Sequence, residues 1–415
     1  MNRTAFALCL IVVSALVTVA VPVRSVAATP AAHSIPVCPG ALAGSARCSS
    51  FVLTDSRGIP LTSSSPTVGS YGPAQFHGGY NLPCSVGGPS AQAVCAPPNS
   101  FGGQTIGIVD AYDDPTIAAD LNTYDTQYGL PACNTSNGCF IKVNQSGVVG
   151  SYPRANSGWA LEISLDVETA HEICQTCKIL LVEAASNSNA NLAAGVNEAA
   201  TRGATEISNS YGGSESSGET SYDSSYTHAG IAVTASSGDT GNAKEYPAAS
   251  PDVVAVGGTT LDLTSSNTYS SESAWSSGGS GCSAYEPVNA WQAAVSDWSQ
   301  TGCGTYRGIA DVSADADPNT GAAVYDSTVY QGQKGWYQVG GTSLSSPLIA
   351  SVFALAGGTS SSANAQQVPY TKFTSSNSHD VTTGSNGSCG TIMCNAATGY
   401  DGPTGLGTPN GIGGF

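Results

Sequence analysis

From about residue 104 the apolar positions fall into short runs separated by longer stretches of helical spacing. TIGIVDAY (105–112) is a continuous apolar run of the kind a buried strand shows. DDPTIAADLNTYDTQYG (113–129) predicts a helix, with Asp114 as cap, Pro115 in the first turn, and Ile117, Leu121 and Tyr124 on one face. CFIKV (139–143) and KILLVEA (178–184) predict two further strands. NANLAAGVNEAATRG predicts a helix that ends at Gly203, and TEISNS, GIAVTASS and DVVAVGG three more short strands. Strands alternating with helices predict an α/β fold with a mostly parallel central sheet flanked by helices. Sites in such sheets lie at the carboxyl ends of the strands. There is no internal repeat. Beyond residue 260 the chain is loop-rich and helix-poor until SSPLIASVFALAGG (345–358).

One stretch fits two periods. In GWALEISLDVETAHEIC (158–174), Leu161, Ile163, Leu165 and Val167 alternate as in a strand, while Trp159, Ile163, Val167, Ala170 and Cys174 form a helical stripe. The choice matters because Glu162 and Asp166 are four apart. In a strand they share a face at roughly 13 Å; in a helix they are neighbours at about 5–6 Å. Only the helix lets one carboxyl orient the other, raise its pKa and share a proton with it.

Composition narrows the class. The chain has 415 residues, 40% of them hydrophobic, enough for a sizeable core in one large domain or two medium ones. Charged residues make up only 10%, and the net charge is −17. The 12 Lys and Arg form no cluster, which argues against nucleic acid and anionic membrane as partners. An acidic, charge-poor surface suits a protein that stays folded at low pH. Residues 1–28 read as a secretory signal, with Arg3, a long apolar run and Val26-Ala27-Ala28 as a small-residue cleavage site, so the protein is expected to be secreted and free of the membrane once the signal is removed. Residues 29–70, rich in Ser, Pro and Gly, are expected as a linker or an irregular N-terminal extension.

Of 13 cysteines, Cys9 lies inside the apolar leader. The other twelve fall in close pairs, 38/48, 84/95, 133/139, 174/177, 282/303 and 389/394, and are expected as six local disulfides. Cys174-Gln-Thr-Cys177 has no second ligand pair nearby, which favours a structural bridge over a metal or redox site.

GGTSLSSP (340–347) places Ser343 among small residues at the start of an apolar helix, the setting of a nucleophile, and a nucleophile needs a base. None of the five histidines has a Gly- or Ser-rich catalytic context, and His171 suits helix packing or capping. Glu162 with Asp166 is the better candidate, since such a pair can accept a proton in acid, where histidine is already charged.

Taken together, the motifs resemble those of the sedolisins, serine-carboxyl peptidases on a subtilisin-like fold. Gly341-Thr342-Ser343 with Ser346-Pro347, the acidic helix carrying Glu162 and Asp166, and Ser236-Ser237-Gly238-Asp239-Thr240-Gly241 stand in family order. So do Tyr246 to Pro251, Asp311 to Pro318, and Tyr71-Gly72-Pro73-Ala74-Gln75 at the start of a domain spanning 71–415. The resemblance implies Ser343 as nucleophile, Glu162 as general base and then acid, Asp166 as the group that tunes Glu162, and Asp239 as a protonated oxyanion donor. It also implies one structural calcium ion, held by carboxylates of Asp380 and Asp401 and carbonyls of Val381, Ala397 and Gly399. Val381 and Ala397 stand where the family usually has isoleucine and glycine. The expected activity is acid endopeptidase cleavage of protein or peptide substrates by a monomer. The competing readings are an inactive homologue acting as a secreted binding or surface module, and a histidine protease using His171. Two departures stand out: only about 40 residues precede Tyr71 after the leader, too few for the family's long propeptide, and Asp110 on the first core strand has no partner histidine and reads as structural.

Overall fold

A computed structural model describes Met1 and residues 33–84, 94–95, 100–360, 362 and 364–415. The expected leader, Cys9 included, lies outside the described residues apart from Met1. The elements below all belong to one compact unit, Ala32–Phe415.

The segment expected as a linker or irregular extension carries three short strands, β1 (His33–Pro36), β2 (Arg47–Cys48) and β3 (Phe51–Thr54), and α1 (Pro73–Gly79) comes after it. Then β4 (Thr105–Ala111), α2 (Ile117–Tyr128), β5 (Phe140–Asn144), α3 (Ser157–Ile173), β6 (Lys178–Ala184), α4 (Asn189–Thr201), β7 (Glu206–Asn209), β8 (Tyr211–Ser214), β9 (Ala232–Ser236), β10 (Glu245–Tyr246), β11 (Val254–Leu263) and β12 (Tyr269–Ala274) alternate largely as the apolar pattern predicts. The loop-rich region holds β13 (Gly281–Pro287), the one-turn helices α5 (Ala290–Ala293) and α6 (Trp298–Thr301), and β14 (Tyr306–Ile309). After it come β15 (Val312–Asp315), the hairpin β16 (Ala322–Tyr330) and β17 (Gln333–Gly340), and α7 (Thr342–Leu355).

The central sheet runs β12-β11-β9-β7-β4-β6-β5, with β15 also on β11. All of these pairings are parallel except β11 with β12. This is the subtilisin-like α/β arrangement expected from the sequence. α7 is buried along its whole length, and α3 is buried from Gly158 to Ile173. The two helices pack against each other, and α3 is buried all round, so apolar residues fall on every face and neither period dominates.

Local chemistry sets the helix ends. The Asn156 side chain caps α3, accepting from the backbone of Gly158 at 3.0 Å and Trp159 at 3.2 Å. α2 starts later than expected. Asp114 accepts from the nitrogen and the hydroxyl of Thr116 at 2.9 and 3.0 Å, closing a turn in front of the helix, and Pro115 sits in that turn. Gly129 ends α2 with φ of +68°, a conformation that favours glycine. All six expected cysteine pairs are disulfides, Cys174–Cys177 among them.

Candidate active site

The site forms where α3 and α7 meet the carboxyl ends of β4, β7 and β9. α3 is a helix throughout, so Glu162 and Asp166 are one turn apart, and both are fully buried. Burial pushes the Glu162 carboxyl well above the usual carboxylate range; Asp110 and Asp239 push it further, while the Ser343 and Ser50 hydroxyls, both close to it, oppose the shift. Asp166 is raised in the same way, by burial first and then by Asp110 and Glu162.

Asp110, read from sequence as structural, belongs to this acidic group. It is fully buried at the end of β4, neither of its oxygens has a hydrogen-bond partner among the described residues, and burial lifts its pKa to about 8. Three carboxyls in one dry space cannot all ionise, so they titrate together and hold protons in common. A carboxylate inside a strand carries no local sign of this; only the packing of α3 over β4 brings it to the pair.

Ser343 lies in the first turn of α7, where backbone N–H groups have no partner within the helix. Its hydroxyl donates to the Ser210 carbonyl at 2.9 Å and stands close to Glu162. Asp239 comes after β9 and is buried. Its Oδ1 accepts from the backbone nitrogen and the hydroxyl of Thr342, both at 2.8 Å, and its Oδ2 has no hydrogen-bond partner among the described residues. Burial raises its pKa to about 8, against the lowering effect of the two Thr342 bonds. Gly341 has φ of +107°, and a Cβ there would come within 2.6 Å of Asp239 Oδ2 and 2.3 Å of the Ser49 carbonyl oxygen. Only glycine fits.

Sequence reasoning missed residues 45–50 altogether. Ser50 Oγ donates to Glu162 Oε2, and the Ser343 backbone nitrogen donates to the Ser49 carbonyl at 2.8 Å. The segment is too short and too small in side chain to show periodicity.

His171 is far from any such role: its Nε2 contacts the Pro131 carbonyl at 2.9 Å and Asp125 at 3.2 Å inside the fold.

The C-terminal loop brings the five expected metal-site residues near one another. Asp401 is buried, with Oδ2 accepting from Ala397 N and Oδ1 from Thr404 N and Oγ1. Asp380 is exposed and accepts from Gly399 N at 3.1 Å. Burial, with Asp380 adding to it, raises Asp401 to about 7. The carbonyls of Val381, Ala397 and Gly399 accept no hydrogen bond among the described residues. Two carboxylates and free carbonyls in one loop fit a hard cation with oxygen ligands.

The subtilase family profile matches residues 147–391. The chain is similar to sedolisin of Pseudomonas sp. (strain 101), 31% identical over 73% of this chain and 56% of that protein. It is also similar to kumamolisin of Bacillus sp. (strain MN-32), 29% identical over 75% of this chain and 59% of that one. The chain thus spans a little over half the length of these two relatives. Among solved structures, Pseudomonas sedolisin in complex with two molecules of pseudo-iodotyrostatin matches 82% of this chain and 95% of its own, at 27% identity and a TM-score of 0.65. The chain therefore belongs to the subtilase family and, within it, to the sedolisins.

Proposed function

We propose that the protein is a secreted serine-carboxyl endopeptidase that cleaves protein or peptide substrates in acid through an acyl-enzyme. The observation that carries this reading is the meeting of Ser343, Glu162 and Asp239 at the strand ends, with no histidine among them. Ser343 Oγ attacks the substrate carbonyl as Glu162 takes its proton. The group Asp110, Asp166 and Glu162 supplies that acceptor: once the first proton has left, one charge is shared among three carboxyls. Glu162 then protonates the leaving amine, and water enters by the reverse route. Burial favours the protonated form of Asp239, and its Oδ2, partnerless among the described residues, can then donate to the developing oxyanion beside the Ser343 N–H.

A calcium ion held by Asp380, Asp401 and the carbonyls of Val381, Ala397 and Gly399 would stabilise the C-terminal loop and take no part in the chemistry. Among the described residues no helix is long and apolar enough to cross a membrane. Digestion of a denatured protein substrate from pH 3 to 8 tests the reading. Cleavage confined to acid is expected; a neutral optimum, or no cleavage by folded protein, would refute it.

A further inference from the structure

Asp297 holds the C-terminal loop from far outside it. It stands just before the one-turn helix α6, where an aspartate side chain ordinarily caps its own helix by accepting from a backbone nitrogen two or three residues on. It makes no such bond. Its Oδ2 accepts instead from Tyr400 N at 2.8 Å, across 103 residues of chain, and its Oδ1 accepts from the Ser296 hydroxyl. This bond orients Gly399. A trans peptide is planar, with its C=O and N–H pointing opposite ways. The Gly399 carbonyl and the Tyr400 N–H belong to one such unit, so with the N–H on Asp297 the carbonyl is turned to the other side. The Gly399 N–H in turn donates to Asp380 Oδ2 at 3.1 Å. Asp380 and Asp297 thus hold the two peptides that meet at Gly399, whose carbonyl accepts no hydrogen bond among the described residues. Gly399 has φ of +87°, and a Cβ there would come within 2.3 Å of Asp297 Oδ2, so no side chain fits between them. Asp297, Asp380, Ser378, Gly399 and Tyr400 line one surface cavity of about 280 Å³. The segment carrying Asp297 is itself anchored. Cys282–Cys303 closes its loop, the Trp298 and Tyr400 rings meet at 5.9 Å, and Gln292 Nε2 donates to the Tyr400 hydroxyl at 3.3 Å.

We propose that Asp297 is a positioning residue of the calcium site: it fixes the direction of the Gly399 carbonyl toward the ion and adds a third carboxylate at the edge of the site, beside Asp380 and Asp401. This rests on the calcium reading above and extends the site from the C-terminal loop to the segment around α6. Asp297 acts from outside the ligand shell, because the oxygen nearest Gly399 is spent on the Tyr400 N–H. Calcium sites set their affinity by the number of charges around the ion and by the rigidity of the ligands. Asp297 contributes to both, with a charge of its own and a carbonyl held before the ion arrives. Partners of this kind, which hold a ligand and do not touch the metal, are worth a measurable share of affinity.

The test uses the full chain, stripped with chelator and titrated with calcium chloride near pH 6, with Kd read by calorimetry and Tm read in the absence of calcium. Asp297→Ala should bind calcium about 10- to 100-fold more weakly than wild type, the loss that removal of an outer partner brings. Asp297→Asn keeps an acceptor for the Tyr400 N–H and loses the charge, so its Kd should fall between the two. Asp380→Asn, which alters a ligand, marks the loss of the site. If Asp297→Ala does not fold, Asp297→Asn carries the comparison. Either folded variant binding calcium as tightly as wild type overturns the proposal. A lowered metal-free Tm with an unchanged Kd overturns it too, since Asp297 would then only pack its segment against the loop. Wild type that binds no calcium overturns the calcium reading along with it, and leaves the peptidase reading to its own test.

Discussion

Asp239 grips Thr342, the residue before Ser343, through its backbone nitrogen and its hydroxyl, both at 2.8 Å and both on the same carboxyl oxygen. One oxygen therefore fixes the start of α7, and the other is buried beside Gly341 without a hydrogen-bond partner among the described residues.

This division of labour makes Asp239→Asn informative. Asparagine keeps an acceptor for Thr342 and a donor toward the oxyanion, but it cannot ionise. Wild-type activity should fall as pH rises through the pKa of Asp239, which burial lifts above the usual carboxylate range. The variant should lose less than the roughly 100- to 1,000-fold that removal of an oxyanion donor costs, and its alkaline limb should move upward. A limb that stays in place in the pH–rate profile would remove Asp239 from this role.

Glu162→Gln should lose about 100- to 10,000-fold at every pH, the range that general acid–base catalysis supplies. Asp110→Asn acts differently. Asp110 raises both Glu162 and Asp166, so removing its charge should lower their pKa values. The acid limb of the profile should shift to lower pH with the nucleophile intact. An unmoved acid limb in a folded Asp110→Asn protein would separate Asp110 from the acidic group.

Ser343 and the glycines around Asp239 were legible in the sequence because each sits in a motif whose chemistry is local, a helix start and a tight turn, whereas the spacing of Glu162 and Asp166 fits strand and helix alike and the family resemblance named their roles. The parallel sheet was legible because its strands are buried on both faces and read as unbroken apolar runs. Asp110 and residues 45–50 were not legible, since their partners lie far along the chain. Cys48 pairs with Tyr211 and Phe51 with Gly340, contacts that leave no period in a stretch of small residues.

The C-terminal loop should respond to metal removal. A cation that binds only the folded state at a hundred times its Kd stabilises by about 2.7 kcal/mol. Chelation should therefore lower Tm, and Asp380→Asn, on the exposed side of the loop, should abolish that response while sparing the catalytic groups. An unchanged melting curve in protein verified as metal-free would count against the site.

Stability itself should depend on pH in a direction set by buried acids outside the catalytic group. Burial lifts Glu172 and Glu206 from 4.5 to about 8. Asp114 rises from 3.8 to about 6 and Asp326 from 3.8 to about 8, where burial is joined by mutual repulsion within the group that Asp114 and Asp326 form with Asp120. Each of these folded-state values lies above the unfolded one. Below about pH 4 both states are protonated and stability is full. As pH climbs, the unfolded chain ionises first and falls in free energy, so stability drains away up to the folded-state values near 8. Tm should therefore fall between pH 4 and 8, and Glu206→Gln and Asp326→Asn should each make that fall shallower. A Tm that holds steady or rises across this range would mean that the buried acids ionise freely in the fold, which the geometry around Glu206 Oε1 and Asp326 Oδ2, both buried without a hydrogen-bond partner among the described residues, opposes.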